Sequence, residues 1–355
     1  MINSIRKIIK NFQRDILEIP GRAVAFFAIA LLLFVPLLIK DHYILRVLVF
    51  TNIFAIFAAS WDLLSGYTRQ MNLGHAAFFG IAAYTSSLLN LRLGLQPYIT
   101  IPLATLMAVV MALIVGFPAL RARGIYLALI TLAFPIILTG LVNAFPNFTG
   151  GEAGLYGVSP LTGSIVTDFY LTLFLMILSA LIMWKLTDAK SSMVRMGVRL
   201  LAIGEDEIAA RVIGINTVKY KLLAFSISGF FAGFAGALYA HIMRITGPSV
   251  LELYFGFQPI LWTIFGGVAT IGGPIVGVFI LYPFMEFLRL VPEIRMMIFG
   301  IVVLLVLFVM PEGLTTWVRH RLLEEECPRC KILNSKWRSN CRACDAPLRL
   351  EEMDH

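Results

Sequence analysis

The sequence predicts an all-α polytopic membrane protein with about eight to ten transmembrane helices, some of them broken or re-entrant. Hydrophobic residues make up 59% of the 355-residue chain and charged residues only 14%, whereas soluble domains carry roughly 25% charged residues. Long apolar runs approach the roughly 20 residues that a helix needs to cross a bilayer. A polar C-terminal tail, which holds all four cysteines, follows the last of these runs.

Ten apolar segments are candidate spans, and together they predict a transmembrane domain over residues 23–315. In chain order they are 23–39, 44–65, 73–90, 97–119, 124–143, 168–186, 218–241, 254–270, 273–290 and 294–311. The first is interpreted as a retained anchor after a polar N-terminal segment, 1–22; a cleaved signal peptide is the alternative. Glycines and a proline between Gly266 and Pro274 interrupt what would otherwise be one helix. Such breaks are tolerated where protein or a water-filled cavity covers the backbone.

The basic residues predict the orientation. With a cytoplasmic N-terminus, the inner loops hold Arg69, Arg121, Arg123 and several Lys and Arg residues between 185 and 221, whereas the long outer loop 144–167 has none. Cytoplasmic loops carry an excess of Lys and Arg, so both termini are predicted to be cytoplasmic. The formal net charge of +8 reflects this bias and indicates no nucleic-acid partner.

A charged segment, Gly204 to Lys221, stands between two apolar runs. Charge of that kind cannot lie in hydrocarbon, so the segment is predicted to be a loop at the membrane surface. It contains a short helix signal of its own, Ala-Ala-x-x-x-Gly, which is typical of a surface shaped to meet another protein.

Residues that could perform chemistry are scarce. Of the five histidines, only His75 is assigned to a predicted span, where a packed, hydrogen-bonded role is the alternative to a role in transport. Asn72 is expected to cap the helix that contains His75. Glu286 is expected to pair with Arg289 one helical turn away. The sequence contains no phosphate-binding Gly-x-x-x-x-Gly-Lys-Ser/Thr loop, so no nucleotide binding and no enzymatic activity are predicted. Any energy for transport must then come from a partner.

Two further segments have ligand-binding character. The outer loop contains Thr149 and Gly150 in a glycine-rich run that lets a small polar ligand approach the backbone, although an ordinary turn-rich loop explains the same residues. The tail, 324–355, contains two Cys-x-x-Cys pairs, Cys327 with Cys330 and Cys341 with Cys344. Four thiolates suit a structural zinc site of ribbon type; a disulfide pair is the alternative, which a reducing cytosol disfavours.

Seven motifs occur in order along about residues 45–315. They are LGHAAFFGIAAYT (73–85), RGIYLALITLAF (123–134), TGGEAGL (149–155), GEDEIAARVIGIN (204–216), YKLLAFSISGFFAGFAGALYA (220–240), GGVATIGGPIVG (266–277) and PEGL (311–314). Together they resemble the LivM-type branch of the branched-chain amino acid permeases of ATP-binding cassette importers. The cysteine tail is not part of that family's pattern.

The resemblance implies a permease subunit in a prokaryotic inner or plasma membrane that moves branched-chain or other small apolar amino acids inward by alternating access. It implies four kinds of partner: a second homologous permease, two cytosolic ATPases, an extracytoplasmic binding protein and the lipid bilayer. Residues 204–216 would be the coupling helix that docks on an ATPase. The residues implied in that contact are Glu205, Asp206, Glu207, Ala209, Ala210, Arg211 and Gly214. In importer permeases more widely a Glu precedes the Ala-Ala pair, whereas Ile208 stands there in this chain.

Hypothetical residues of the substrate path are Asn72, His75, Tyr126, Thr131, Thr149 and Gly150. Related permeases resemble urea and short-amide importers, so these substrates are an alternative. Two other classes stay open from the residues themselves. One is a secondary transporter that works without an ATPase, and the other is a membrane-anchored regulatory protein whose active part is the tail.

Overall fold

A computed structural model describes residues 32–36, 41–122, 124–187, 196–310, 313–318, 324–330, 333–335, 340–341, 344 and 346–348. The predicted N-terminal segment 1–22 lies outside these residues, as does most of the first predicted span. The chain forms two compact units, of which one comprises His42–Gly313 and the other contains the tail from Leu314 onward.

Helices dominate the first unit. The longer ones are α1 (His42–Trp61), α2 (His75–Leu93), α3 (Pro97–Ala119), α4 (Ile125–Ala144), α5 (Ile165–Thr187), α6 (Met196–Glu205), α7 (Glu207–Val212), α8 (Thr217–Met243), α9 (Leu253–Gly266), α10 (Gly272–Phe287) and α11 (Pro292–Val309). One-turn helices occur at Pro146–Thr149, Pro248–Leu251 and Leu288–Leu290. Two short strands, β1 (Leu155–Tyr156) and β2 (Ile245–Thr246), pair antiparallel with Leu155 opposite Thr246.

Helix α1 forms the centre of this unit. It is hydrophobic on all sides, and from Val49 onward every residue is buried, as is typical of a core helix. Helices α5, α8, α9 and α10 pack around it. Aromatic rings fill the spaces between them; Phe54, for example, lies 4.9 Å from Tyr282 and 5.4 Å from Trp262, measured between ring centroids.

Small residues bring α2, α3 and α8 into close contact. A Cβ atom added at Gly229 would lie 2.3 Å from the Ala112 side chain, and one at Gly233 would lie 2.2 Å from that of Ala108. At Gly236 it would lie 2.1 Å from the Phe79 carbonyl oxygen. Helix packing within membranes uses small residues in this way.

Six helical segments among the described residues are long and apolar enough to cross a membrane. They are His42–Gly66, Pro97–Ala119, Ile125–Ala144, Ile165–Thr187, Thr217–Met243 and Gly272–Leu290. Helices α2, α9 and α11 occupy three more of the predicted positions. However, α2 carries several polar residues, and α9 has only 14 residues, about 21 Å at 1.5 Å per residue.

The predicted interruption near Gly266 is confirmed. Helices α9 and α10 form a tight hairpin, in which a Cβ atom at Gly266 would lie 1.8 Å from the Gly273 carbonyl oxygen and one at Gly277 would lie 2.0 Å from that of Trp262. The turn between these helices, Gly267–Ile271, is called the hairpin tip below. At the other end of α10, Glu286 accepts a hydrogen bond from Arg289 at 2.9 Å, so that predicted ion pair is also confirmed.

In the tail unit, β3 (Glu324–Glu326) pairs antiparallel with β4 (Leu333–Ser335), and Asn340 bridges to Pro347. Buried Cys327, Cys341 and Leu348 form its small core.

Candidate functional site: a capped surface segment, an inner polar cluster and a cysteine cluster

Residues Gly204–Asn216, which the family resemblance predicts to be the coupling helix and which are therefore called the coupling segment, fold as the end of α6, the short helix α7 and a turn. Asp206 caps α7, since its Oδ1 accepts the backbone N–H groups of Ile208 at 2.8 Å and Ala209 at 3.1 Å, as an N-cap carboxylate does. Gly214 has φ +86°, a left-handed conformation that suits glycine at the end of a helix. Asn216 then caps α8 by accepting the N–H of Lys219 at 3.0 Å. Each bend of the segment is therefore determined by a local capping residue.

Glu207 fastens α7 to α8. Its carboxylate pairs with the Nζ of Lys221 at 2.8 Å and with Arg211 on the next turn of α7, and it also accepts the Thr217 hydroxyl. The Lys221 side chain is only 3% exposed. Partial burial alone would raise the pKa of Glu207, but the hydrogen bonds and positive charges of Lys221 and Arg211 hold it below its ordinary value. At neutral pH this carboxylate is therefore ionised and held in place by its ion pairs with Lys221 and Arg211.

The outward surface of the segment is apolar. Ile208, Val212 and Ile213 are 62%, 82% and 73% exposed, and the first two share a helix face because they are four residues apart. Ala209 and Gly214 are exposed beside them. Ala210 is buried against this chain, so it does not belong to the small surface expected to seat on a partner. That surface is instead branched and aliphatic.

Glu205 differs from its neighbours. Its carboxylate lies 2.6 Å from the Arg69 guanidinium, and both side chains are more than half exposed. The residue thus links the coupling segment to the chain just after α1.

Three of the predicted path residues lie together at the start of α2. The N–H of Leu73 donates to the Thr131 hydroxyl at 3.1 Å, and the Trp61 indole N–H donates to the Asn72 carbonyl at 2.8 Å. His75 Nε2 lies 2.9 Å from the Ser60 hydroxyl, while its ring stacks on Phe57. Asn72, His75 and Thr131 are fully buried, so here they build the junction of α1, α2 and α4.

The expected cap of α2 differs in detail. Gly74 is the capping residue by position, and no side chain caps the helix. Asn72 stands two positions before the cap, and its Oδ1 accepts the N–H of Gly74 at 2.9 Å. Gly74 itself packs directly on α4. A Cβ atom there would lie 2.1 Å from the Thr131 carbonyl oxygen.

Tyr126 does not join the buried cluster. It is 71% exposed near the start of α4. A cavity of about 300 Å³ opens nearby between the turn Arg69–Met71 and the first turn of α4, Gly124–Ala128.

Thr149 and Gly150 lie beyond the opposite end of α4, which spans about 30 Å for its 20 residues. The Thr149 hydroxyl donates to the Val142 carbonyl at 2.6 Å and so satisfies the end of that helix. Gly150 has φ +80°, and a Cβ atom there would lie 2.1 Å from the Gly154 carbonyl oxygen. The six path candidates therefore lie in three places, namely the buried cluster of Asn72, His75 and Thr131, the exposed Tyr126, and the pair Thr149 and Gly150, and are not one site.

Asp62 is a buried carboxylate whose role the sequence does not indicate. It begins a π-helical turn, Asp62–Gly66, that continues α1. Its Oδ1 accepts the N–H of Ala269 at 2.6 Å, and its Oδ2 accepts those of Thr270 and Ile271 at 3.0 Å each. The Asp62 side chain thus holds the hairpin tip through three backbone N–H groups, which lie about 200 residues further along the sequence.

His241 corrects the view that only His75 is placed in a span. It is fully buried in the last turns of α8. Its Nε2 lies 2.9 Å from the Ser86 hydroxyl and 2.8 Å from that of Thr100, and its Nδ1 lies 2.8 Å from the Ser159 carbonyl oxygen. The one feature of the sequence that could have predicted this placement is that His241 is the last residue of the apolar run 218–241.

The four tail cysteines form a cluster. All four Sγ atoms lie within 4.8 Å of one another, with Cys327 3.6 Å from Cys344 and Cys330 3.5 Å from Cys341. Four sulfurs around one ion at the usual Zn–S distance would be about 3.8 Å apart, so the cluster fits a metal, whereas a disulfide needs about 2.05 Å. The N–H of Cys330 donates to the Cys327 sulfur and holds the pKa of that thiol below its ordinary value. These residues could hold a metal ion.

Comparison with known proteins accounts for the helical unit. The family model described as "Branched-chain amino acid transport system / permease component" matches residues 43–307. The chain is 28% identical to the high-affinity branched-chain amino acid transport system permease protein LivM of Escherichia coli, over 77% of this chain and 70% of that protein. It is 26% identical to the guanosine ABC transporter permease protein NupQ of Bacillus subtilis, over 61% of this chain and 73% of that protein.

A third relative is archaeal. The probable branched-chain amino acid transport permease protein LivH of Methanocaldococcus jannaschii is 23% identical over 70% of this chain and 82% of its own length. No solved structure matches significantly. The family match extends from the start of α1 almost to the end of α11, and so covers the whole helical bundle and the coupling segment. This chain belongs to the family of branched-chain amino acid ABC transporter permeases.

Proposed function

We propose that the chain imports branched-chain or other small apolar amino acids into the cytoplasm, as one of two homologous permeases driven by two ATPases and supplied by an extracytoplasmic binding protein. Both termini then face the cytoplasm of a prokaryotic cell. The single observation that carries the proposal is the coupling segment. It contains a short helix that Asp206 caps and that Glu207 attaches to α8. Its solvent-facing surface consists of exposed aliphatic side chains.

Such a surface suits insertion into a groove of a partner protein. Burial of exposed Val212 and Ile213 against a partner lowers the free energy of the complex. Amphipathic helices dock in grooves through such apolar side chains. The Glu207 pairs keep the helix from moving independently of α8, so a displacement of the partner is passed to the transmembrane helices. The chain itself hydrolyses nothing in this scheme.

Substrate identity is the finer part of the proposal. LivM supports amino acids, whereas NupQ supports a nucleoside, and guanosine is therefore the second candidate. The test is uptake of labelled leucine into proteoliposomes that contain this chain and its partner subunits, with and without ATP. Excess isoleucine, urea or guanosine serves as competitor.

ATP-dependent uptake that isoleucine blocks is the expected result. Block by guanosine or urea alone would keep the transporter class and change the substrate. Flux through this chain alone, without ATP, would favour a secondary transporter and contradict the proposal.

The docking role of the segment has a matched test. Gly214→Trp should abolish uptake and ATPase association while leaving membrane insertion intact, because the new side chain protrudes beside Val212. Gly157→Trp is the control, since Gly157 also has positive φ (+83°) and open space around it but lies in the loop after β1. Normal uptake by the Gly214 variant would contradict the assignment of the coupling segment.

For the tail we propose one structural zinc ion held by Cys327, Cys330, Cys341 and Cys344. A four-thiolate site leaves no open position for a reacting water, so the ion would order the tail and take no part in catalysis. Metal analysis should find about one zinc per chain, and Cys341→Ser should lose most of it. Deleting 324–355 separates the roles: unchanged uptake makes the tail accessory, and lost uptake with intact assembly makes it regulatory.

A further inference from the structure

We propose that the segment Asp62–Arg69, called the inner arm, transmits displacement of the coupling segment to the hairpin tip, with Asp62 as the positioning residue at the far end. The inference rests on the proposed function, because it assumes that an ATPase moves the coupling segment. It assigns a role to a buried carboxylate and a π-helical turn that the coupling segment alone does not explain.

At the hairpin tip, the backbone depends on Asp62. Ala269 and Ile271 have φ values of +58° and +53°, a conformation that strains non-glycine residues and persists only when the surroundings hold it. The Asp62 carboxylate supplies that hold through the N–H groups of Ala269, Thr270 and Ile271. When Asp62 shifts, the tip must follow or lose its hydrogen bonds.

Within the inner arm, the backbone is tightly constrained. A Cβ atom at Gly66 would lie 2.0 Å from Asp62 Oδ1 and 3.0 Å from the Ala269 nitrogen, so only glycine fits under the tip. The Thr68 hydroxyl donates to the Leu64 carbonyl at 2.6 Å. A π-helical turn is rare and is frequently found at functional sites.

The near end of the inner arm contacts the coupling segment without intervening side chains. A Cβ atom at Gly204 would lie 2.9 Å from the Tyr67 carbonyl oxygen and 3.0 Å from the Thr68 carbonyl carbon. One residue further along each segment, Arg69 pairs with Glu205. Backbone packed on backbone has little room to compress, so movement of the α6–α7 junction reaches Tyr67 and Thr68 directly.

The two contacts lie within eight residues of one another, Asp62 to Arg69. The inner arm is therefore short enough to act as one body. The hairpin tip at its end also contacts a second segment, because a Cβ atom at Gly313 would lie 2.5 Å from the Gly267 Cα. We expect an ATP-driven displacement of α7 to reorient the α9–α10 hairpin through Asp62.

The test places a reporter at the tip. Val268 is exposed beside Ala269, so Val268→Cys is introduced and its maleimide labelling rate is measured in the assembled transporter, without nucleotide and with a non-hydrolysable ATP analogue. The chain with only its tail cysteines supplies the background. The Val268→Cys protein should change its labelling rate by about fivefold or more between the two states, the lower range of allosteric coupling.

Asp62→Asn and Gly204→Ala act at opposite ends of the inner arm. Each should remove most of the nucleotide-dependent change while ATP hydrolysis and subunit assembly continue, so that more ATP is consumed for each substrate transported. Glu252→Gln is the matched control, because Glu252 is an exposed carboxylate at the far end of the same hairpin, and it should keep the full response.

The outcomes separate the two proposals. Absence of ATP-dependent uptake in the unmodified transporter would overturn the proposed function and the relay with it. Uptake with an undiminished labelling change in both Asp62→Asn and Gly204→Ala would overturn the relay alone. So would uptake without any labelling change in the Val268→Cys protein that carries no second substitution.

Discussion

The hairpin tip and the coupling segment are both fastened to a long helix by one carboxylate, but the partners differ. Asp62 is fully buried and accepts three backbone N–H groups. Glu207 lies at the solvent edge and pairs with Lys221 and Arg211. A second buried charge would add its own desolvation cost, whereas the free N–H groups ahead of α10 are already present and need a partner. The tip is therefore held by hydrogen bonds from backbone N–H groups to a carboxylate, and the coupling segment by ion pairs between side chains.

The largest expected effect on stability is at the hairpin tip, which the buried Asp62 holds. Asp62→Ala leaves three N–H groups without acceptors, of which that of Ile271 is buried and those of Ala269 and Thr270 are partly buried. A buried group left in this way costs about 1–3 kcal/mol and a partly buried one less, so a marked drop in thermal stability is expected for the purified permease in detergent. Asp62→Asn should fall in between, because one oxygen can still accept. An unchanged melting temperature for Asp62→Ala would contradict the geometric account of the tip.

A smaller effect is expected at the coupling segment. Lys221→Met removes the buried partner of Glu207 and leaves Arg211 and Thr217, so local stability should fall by about 1–2 kcal/mol, less than for a fully buried pair. Hydrogen exchange of the α7 amides should become roughly tenfold faster, as local opening rises. Lys219→Met, at an exposed position on the same helix, should leave the exchange unchanged; equal effects of the two variants would contradict the assignment of Lys221.

The difference between the two regions should also appear in their response to acid. Because the pKa of Glu207 in the fold lies below its unfolded value of about 4.3, its stabilisation is fully present above that value and is lost as pH falls through the folded pKa. Protection of the α7 amides, corrected for intrinsic exchange, should be flat from neutral pH to about pH 5 and decline below about pH 4. Glu207→Gln should lack this decline. If the variant declined in the same way, another group would be responsible.

The smallest expected effect concerns Arg69 and Glu205. Both side chains are more than 60% exposed, and exposed pairs contribute about 1 kcal/mol or less. Arg69→Gln should therefore barely change the melting temperature, and added salt should shrink the difference further. A large loss would show that the inner arm depends on this ion pair rather than on the backbone contact at Gly204.

Local patterns predicted most of the helices. Apolar runs near 20 residues long became α1, α3, α4, α5 and α8, because a run of that composition must bury or face lipid wherever it lies. The glycines near 266 predicted the break between α9 and α10 for an equally local reason. The caps at Asp206 and Asn216 are equally local, because each side chain bonds to N–H groups two or three residues away, but they were not predicted.

Relations between distant residues could not be predicted in this way. The role of Asp62 could not be predicted because its three partners lie more than 200 positions further on. Ala210 looked like part of a docking surface because nothing local indicates which face of a six-residue helix is covered. Thr131 and Tyr126 lie five residues apart on α4, and only the packing of that helix buries the first and exposes the second.

By itself, the sequence determined the membrane class, most of the helices, the permease family and the cysteine cluster. Each of these depends on composition, on periodicity or on residues close together in the chain. The tertiary structure alone decided which carboxylate holds the hairpin, which cation is buried beside Glu207 and which aliphatic side chains stay uncovered. Those outcomes depend on which surfaces exclude water from one another, and that is a property of the packed bundle rather than of any single segment.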